Sequence, residues 1–300
     1  MTSDPESLGG QSVGVDPLTA PLTYPGLPPW RPAVLVTDTE VLTLQPLRDG
    51  PLGQWMVRPE SGPASRPRGA ELTTGPDSEA ERGPDTRPGS TADATSWSRG
   101  PDRSLDIFLH VAGSPLAAAR TPVLAVGSNA SPAQLRRKMT NAGLPTRVPI
   151  TAVTVRGLTV GVSAHVSRPG YLPATPVPDP AAESKLWMLW LDAVDATEPN
   201  YHRVRLSSRY SVRLTTDRVV TDGWVYLSRH GHLLNAVGQP RRLTDQATLI
   251  TGLLAELPEL RALAGTDPEQ WIKRTRDPGI RAAIRELFRS AGLVRSADRF

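Results

Sequence analysis

Apolar positions along the 300-residue chain fall into short blocks, and the spacing within each block predicts an element. Ala33 to Leu47 (AVLVTDTEVLTLQPL) carries β-branched runs on both sides of Asp38, the signature of a hairpin, and Gln54 to Val57 can add a short strand. Val123 to Val126 is an apolar run long enough for a buried strand. Gly127, Ser128 and Asn129 break it, Ser131 suits a helix N-cap, and Pro132 stands where proline is favoured, at the first helical position. That helix is expected to run through Leu135 and end in Arg136, Arg137 and Lys138, cations that suit the negative end of a helix dipole. Pro149 to Val166 alternates partly and reads as two strands joined near Arg156-Gly157. Gly170 to Pro180 reads as a proline-rich loop, and Lys185 to Leu191 (KLWMLWL) as a buried strand. Asp192 to Thr197 suggests one helical turn that Pro199 ends. Tyr201 to Leu206, Tyr210 to Leu214 and Gly223 to Leu227 are strand-like, and Arg229 to His232 reads as a turn.

The pattern then changes to a period near 3.6. Leu249, Ile250, Leu253, Leu254 and Leu257 share one helix face behind Thr244 as N-cap. Asp277 and Pro278 open a second helix, whose apolar face is Ile280, Ile284, Leu287, Phe288 and Ala291 and which Gly292 closes. Strands with one inserted helix, followed by helices, predict an α+β fold with a small mixed β-sheet or barrel and flanking helices. No internal repeat is present.

Between these blocks the composition shifts. Residues 58–104 are dense in Pro, Gly, Arg and acidic residues and almost devoid of large apolar side chains. Such a stretch cannot bury enough surface to offset its ordering entropy, so a disordered insertion is expected. Residues 1 to about 29 are expected to be loose as well. The predicted organisation is therefore an N-terminal extension with a hairpin (1–57), the insertion (58–104), a folded unit (105–243) in which LDIFLHV forms a short helix or strand, and C-terminal helices packed on that unit (244–300).

Charge and cysteine narrow the chemistry. The formal net charge is +4 and no cysteine is present, which removes disulfides, thiolate metal sites and a cysteine nucleophile. The start MTSDPESLGG has neither a basic n-region nor an apolar h-region, and no apolar run reaches membrane-span length. A cytoplasmic protein without a membrane partner is expected. The C-terminal arginines Arg281, Arg285 and Arg289 raise nucleic-acid binding as an alternative class. No aromatic residues interleave with them, and Asp277, Glu286 and Asp298 dilute the charge, so a solvated helix side is the preferred reading.

Two stretches carry candidate chemistry. The turn after Val126 points backbone N–H groups at one spot, where an anion or a developing oxyanion can sit. Ser128 is not a hydrolase nucleophile of the elbow type, because Val126 and Ala130 stand where G-x-S-x-G needs glycine. Among the histidines, His230 and His232 lie in an expected solvated turn, and His165 in an alternating strand suits a hydrogen-bonded, partly buried role; no metal-ligand spacing is present. The second stretch, Leu191 to Leu206 (LDAVDATEPNYHRVRL), sets Asp192, Asp195 and Glu198 ahead of a basic extended segment. Asp192 suits a helix cap, and Glu198, just before Pro199, suits a carboxylate projecting over the end of a sheet.

Together the two stretches resemble the gamma-glutamylcyclotransferase-like superfamily. Val126, Gly127, Ser128 and Asn129 occupy the places of its Y-G-S-N signature, with Val126 in place of the tyrosine. Val194 to Glu198, then Tyr201, Arg203 and Val204, resemble its L-D-x-x-E and following strand, with Val194 in place of the leucine; Gly223 to Tyr226 resembles a later strand ending in tyrosine. The resemblance spans roughly residues 122–227 and implies a small mixed barrel with flanking helices. It implies cyclisation of a gamma-glutamyl amide to 5-oxoproline with release of an amine or amino acid. Glu198 would then be the general acid/base, and Val126, Gly127, Ser128, Asn129, Ala130 and Tyr226 the substrate-binding residues. No metal or organic cofactor is implied, and the partner is a small gamma-glutamyl substrate. The missing tyrosine keeps an alternative open, a non-catalytic module of the same fold that binds a small acidic metabolite or a protein partner.

Overall fold

The computed structural model describes residues 16–58, 102–192 and 199–296. Nearly all of the predicted insertion, and both Asp195 and Glu198, lie outside the described residues. The fold is α+β: a ten-stranded, mostly antiparallel sheet with helices on its faces.

The N-terminal hairpin forms as its pattern predicts. β1 (Ala33–Thr37) pairs with β2 (Val41–Gln45), and β2 with β3 (Met56–Arg58). β1 is buried on both faces: Ala33 and Leu35 enter one apolar cluster, Val34 and Val36 another. Both ends of the stretch expected to be disordered are ordered, Arg58 in β3 and Arg103–Ser104 as β4, which pairs with β3 and leads into α1 (Leu105–Val111), so LDIFLHV is a helix, capped by the Ser104 hydroxyl. β5 (Thr121–Ala125) precedes the polar turn and α2 (Pro132–Asn141). This helix outruns its three cations by three residues, and the Ser131 side chain makes no cap bond.

The centre of the sheet departs from expectation. β6 (Arg147–Val162) is one sixteen-residue strand, not two. Gly157, at φ +87°, absorbs the irregularity between Arg156 and Leu158 as a bulge, which bends the strand without ending it. Its partner β7 (Ala174–Leu191) begins inside the stretch read as a proline-rich loop. Pro176, Pro178 and Pro180 are spaced by two, so their missing N–H groups all face one edge of the strand. β5 pairs with β7 only at Trp187 to Leu191, and among the described residues no strand pairs with that edge of the proline-bearing half.

β8 (Tyr201–Arg205), β9 (Ser211–Leu214) and β10 (Trp224–Ser228) complete the sheet. Its order is β4-β3-β2-β1-β6-β7-β5-β10-β8, with β9 on β6, and β10–β5 is its parallel pair. No pairing among the described residues joins β8 back to β4, so the sheet stays open where a closed barrel was expected.

β11 (His232–Leu233) pairs with β12 (Val294–Arg295) beyond the last helix. That pairing buries His232, which was expected in a solvated turn. The C-terminal helices are α3 (Gln246–Glu256), α4 (Pro258–Ala264), α5 (Pro268–Arg274) and α6 (Pro278–Ser290). Asp245, not Thr244, caps α3: its carboxylate accepts from Thr248 N–H at 2.8 Å, which holds it below the usual carboxylate range. α4 and α5 were not predicted, although each opens on a proline.

Two contacts tie the helices to the site. The Gln246 amide bonds both backbone groups of Leu172, and Trp271 Nε1 donates to Gly170 O at 2.9 Å. Together they fix the β6–β7 connection that carries Tyr171.

A candidate active site where the polar turn meets four tyrosines

The turn after β5 opens into a pocket of about 190 Å³. That lies below the roughly 300–1,000 Å³ of drug-sized sites and suits a group about the size of an amino acid, alone or at the end of a larger molecule. Val126, Gly127, Ser128 and Asn129 form one wall and Tyr226 on β10 lies beside them, so five of the predicted site residues share one cavity. Ala130 is buried and is not part of the lining; its N–H donates to Gly127 O at 3.0 Å. No backbone carbonyl among the described residues accepts from Gly127 or Ser128 N–H. Asp192, expected as a helix cap, faces the buried Arg120 guanidinium at 3.6 Å. Burial pushes that guanidinium's pKa down, and the Asp192 charge opposes the shift.

Part of the remaining wall, Asn200 and Tyr201, comes from the second candidate stretch, and part from segments that local patterning did not single out. Residues 16–29, expected to be loose, pack on the turn. Tyr24 stacks on Tyr171 with ring centroids 4.2 Å apart, and its hydroxyl oxygen accepts from Ala174 N–H at 2.8 Å. A Cβ on Gly127 would overlap that same oxygen, which explains the glycine by space, since φ there is an unexceptional −141°. The turn lacks a phenol at Val126, yet Tyr24 brings one against it. From the other side, the Tyr201 hydroxyl donates to Ala174 O at 2.9 Å. Asn200 lines the pocket as well, and Lys138 Nζ donates to Asn129 Oδ1 at 2.5 Å.

His165 and Ser167 stand two residues apart in the segment that bends away after β6, and both line the pocket. His165 is only 4% exposed. Its Nδ1 lies 2.6 Å from Ser163 Oγ, which lies 2.6 Å from Ser228 Oγ, which accepts from His230 N–H at 3.1 Å. Burial pushes His165 down to about 3, helped by His230, whose ring centroid is 4.4 Å away, and by Arg285. His230 is itself pushed down by burial and by Arg285 and Arg289. The pair is therefore neutral near pH 7. Period-two spacing was the available sequence signal for His165 and Ser167; Tyr24 offered none, because its role arises only from tertiary contact.

A larger open groove of about 710 Å³ runs past Arg241, Arg242 and Arg295. Arg241 pairs with Glu256 and Arg242 with Asp179, so most of its charge is already neutralised. Among the described residues no group of three His, Asp or Glu could hold a metal ion, and no helix is long and apolar enough to cross a membrane.

No family model matches the chain, and neither does any curated protein or solved structure.

Proposed function

We propose that this pocket cyclises a gamma-glutamyl amide to 5-oxoproline, with Glu198 as the general acid/base. The observation that carries the reading is the meeting of two distant stretches: Val126 to Asn129 and Asn200-Tyr201, the latter only two residues after Glu198, line one small cavity. On this reading the strands around the cavity correspond to the barrel unit of the gamma-glutamylcyclotransferase-like fold, with the remaining strands added at its edge.

The chemistry needs little beyond positioning. The substrate's α-amino nitrogen attacks its own γ-carbonyl carbon, a C–N bond forms, and the C–N bond to the departing amine breaks. Two protons leave the attacking ammonium and end on the departing nitrogen, with Glu198 as their carrier. Negative charge gathers on the carbonyl oxygen, and the N–H groups of Gly127 and Ser128 are the donors for it. Closure within one molecule makes selection of the folded substrate conformer the pocket's main task, and Tyr24, Tyr171, Tyr201 and Tyr226 supply its walls.

Glu198→Gln keeps the shape and removes the base. Wild-type protein is expected to release 5-oxoproline from gamma-glutamyl amines or peptides, and the variant to do so on the order of 10²–10⁴-fold more slowly. Equal rates overturn the reading. Ligand binding by wild-type protein with no turnover of any gamma-glutamyl substrate replaces it with the non-catalytic module.

A further inference from the structure

The hydroxyl chain behind His165 has only one direction in which every buried donor finds an acceptor. His230 N–H already donates to Ser228 Oγ. Ser228 is 1% exposed, and the one other partner of its Oγ among the described residues is Ser163 Oγ, so its own proton must go there. Ser163, fully buried, then has its proton left for His165 Nδ1. The reverse direction would leave the Ser228 hydroxyl hydrogen with no acceptor, a buried unsatisfied donor of the kind folded proteins avoid. With Nδ1 accepting and the ring neutral, the imidazole proton sits on Nε2. Nε2 has no partner among the described residues, in a ring that lines the pocket. Two residues on, Ser167 is 8% exposed and its hydroxyl likewise has no partner.

We propose that His165 Nε2–H and the Ser167 hydroxyl form a two-donor subsite for a carboxylate of a small ligand in this pocket. A carboxylate offers only acceptors, and two neutral donors match it without a buried counter-charge. The inference rests on the same pocket as the cyclotransferase reading and deepens it: there the ligand is a substrate's carboxylate, retained in 5-oxoproline. It would stand without that reading, for any small carboxylic acid.

The test uses full-length protein with 5-oxoproline and with glutarate, which cannot cyclise to it. In protein labelled with ¹⁵N-histidine, His165 is expected to carry its proton on Nε2, and each probe is expected to shift the Nε2 resonance more than Nδ1. His165→Asn retains a group at the Nδ1 position for Ser163 but removes the pocket donor; it is expected to weaken Kd roughly tenfold, about 1.4 kcal/mol. His165→Gln, which can place an amide donor near the Nε2 position, is expected to recover part of that loss. Ser167→Ala removes an unpartnered hydroxyl, so it should weaken probe binding severalfold while leaving the melting temperature of the free protein unchanged or higher. The proposal is overturned by an Nδ1–H tautomer, by His165→Asn binding both probes as wild type does, or by wild type binding neither probe. Turnover of gamma-glutamyl substrates combined with any of these results leaves the cyclotransferase reading standing; bound probes with the expected shifts and no turnover do the opposite.

Discussion

Tyr24 and Gly127 come from segments a hundred residues apart, and their contact can be tested by a double-mutant cycle. Gly127→Ala places a methyl group over the Tyr24 hydroxyl oxygen and 3.0 Å from the Ala174 Cβ. Overpacking of this kind costs about 1–3 kcal/mol. Tyr24→Phe strips the acceptor from the buried Ala174 N–H, again about 1–3 kcal/mol. In the double variant the overlap is gone, because the next Tyr24 atom, Cζ, stands 3.5 Å from the new methyl carbon, an ordinary contact. Only the Ala174 Cβ contact continues to resist it. The double variant should therefore be more stable than the sum of the singles implies, by about 1 kcal/mol or more. Urea unfolding followed by the fluorescence of the seven tryptophans gives all four free energies, with m-values expected to agree. Additivity to within about 0.3–0.5 kcal/mol would refute the placement of Tyr24 against the turn.

Two further predictions concern stability. His165 titrates near 3 in the folded chain against 6.5 as its ordinary value, so below pH 6.5 the unfolded chain binds more protons and stability falls as pH falls. The loss from this residue reaches about 2 kcal/mol by pH 5 and continues toward pH 3; His165→Asn should flatten the wild-type decline between pH 6.5 and 4, and an unchanged profile would contradict a buried neutral imidazole. At the start of α3, Asp245→Ala should lower the melting temperature while Thr244→Ala leaves it in place, because only the Asp245 carboxylate receives a helix N–H; the opposite order would move the cap.

Where a local rule decides the outcome, the sequence was readable. The hairpin around Asp38, the strand–turn–helix at Val123 to Asn141, and the Asp277-Pro278 start of α6 all follow from alternation, capping and proline geometry. Where tertiary contact decides, local signals misled. A proline-rich stretch reads as a loop until a pairing partner on one side and, among the described residues, no strand on the other make its missing donors harmless, as in β7. Gly157 reads as a strand break until both halves of β6 are seen to pair with the same neighbour. The candidate site divides in the same way. The turn was legible because its residues are contiguous, whereas Tyr24, Tyr171 and His165 gain their roles only once remote backbone brings them to it.

β6 contributes to all three apolar clusters of the described residues. Val148 and Ile150 enter the one beneath α2, Val153, Val155 and Leu158 the one shared with the hairpin and α1, and Val162 the one beneath the C-terminal helices. A single strand thus runs as an axle through three interiors and supplies a wall to each. Loss of its register at any point loosens the pocket wall that begins where it ends.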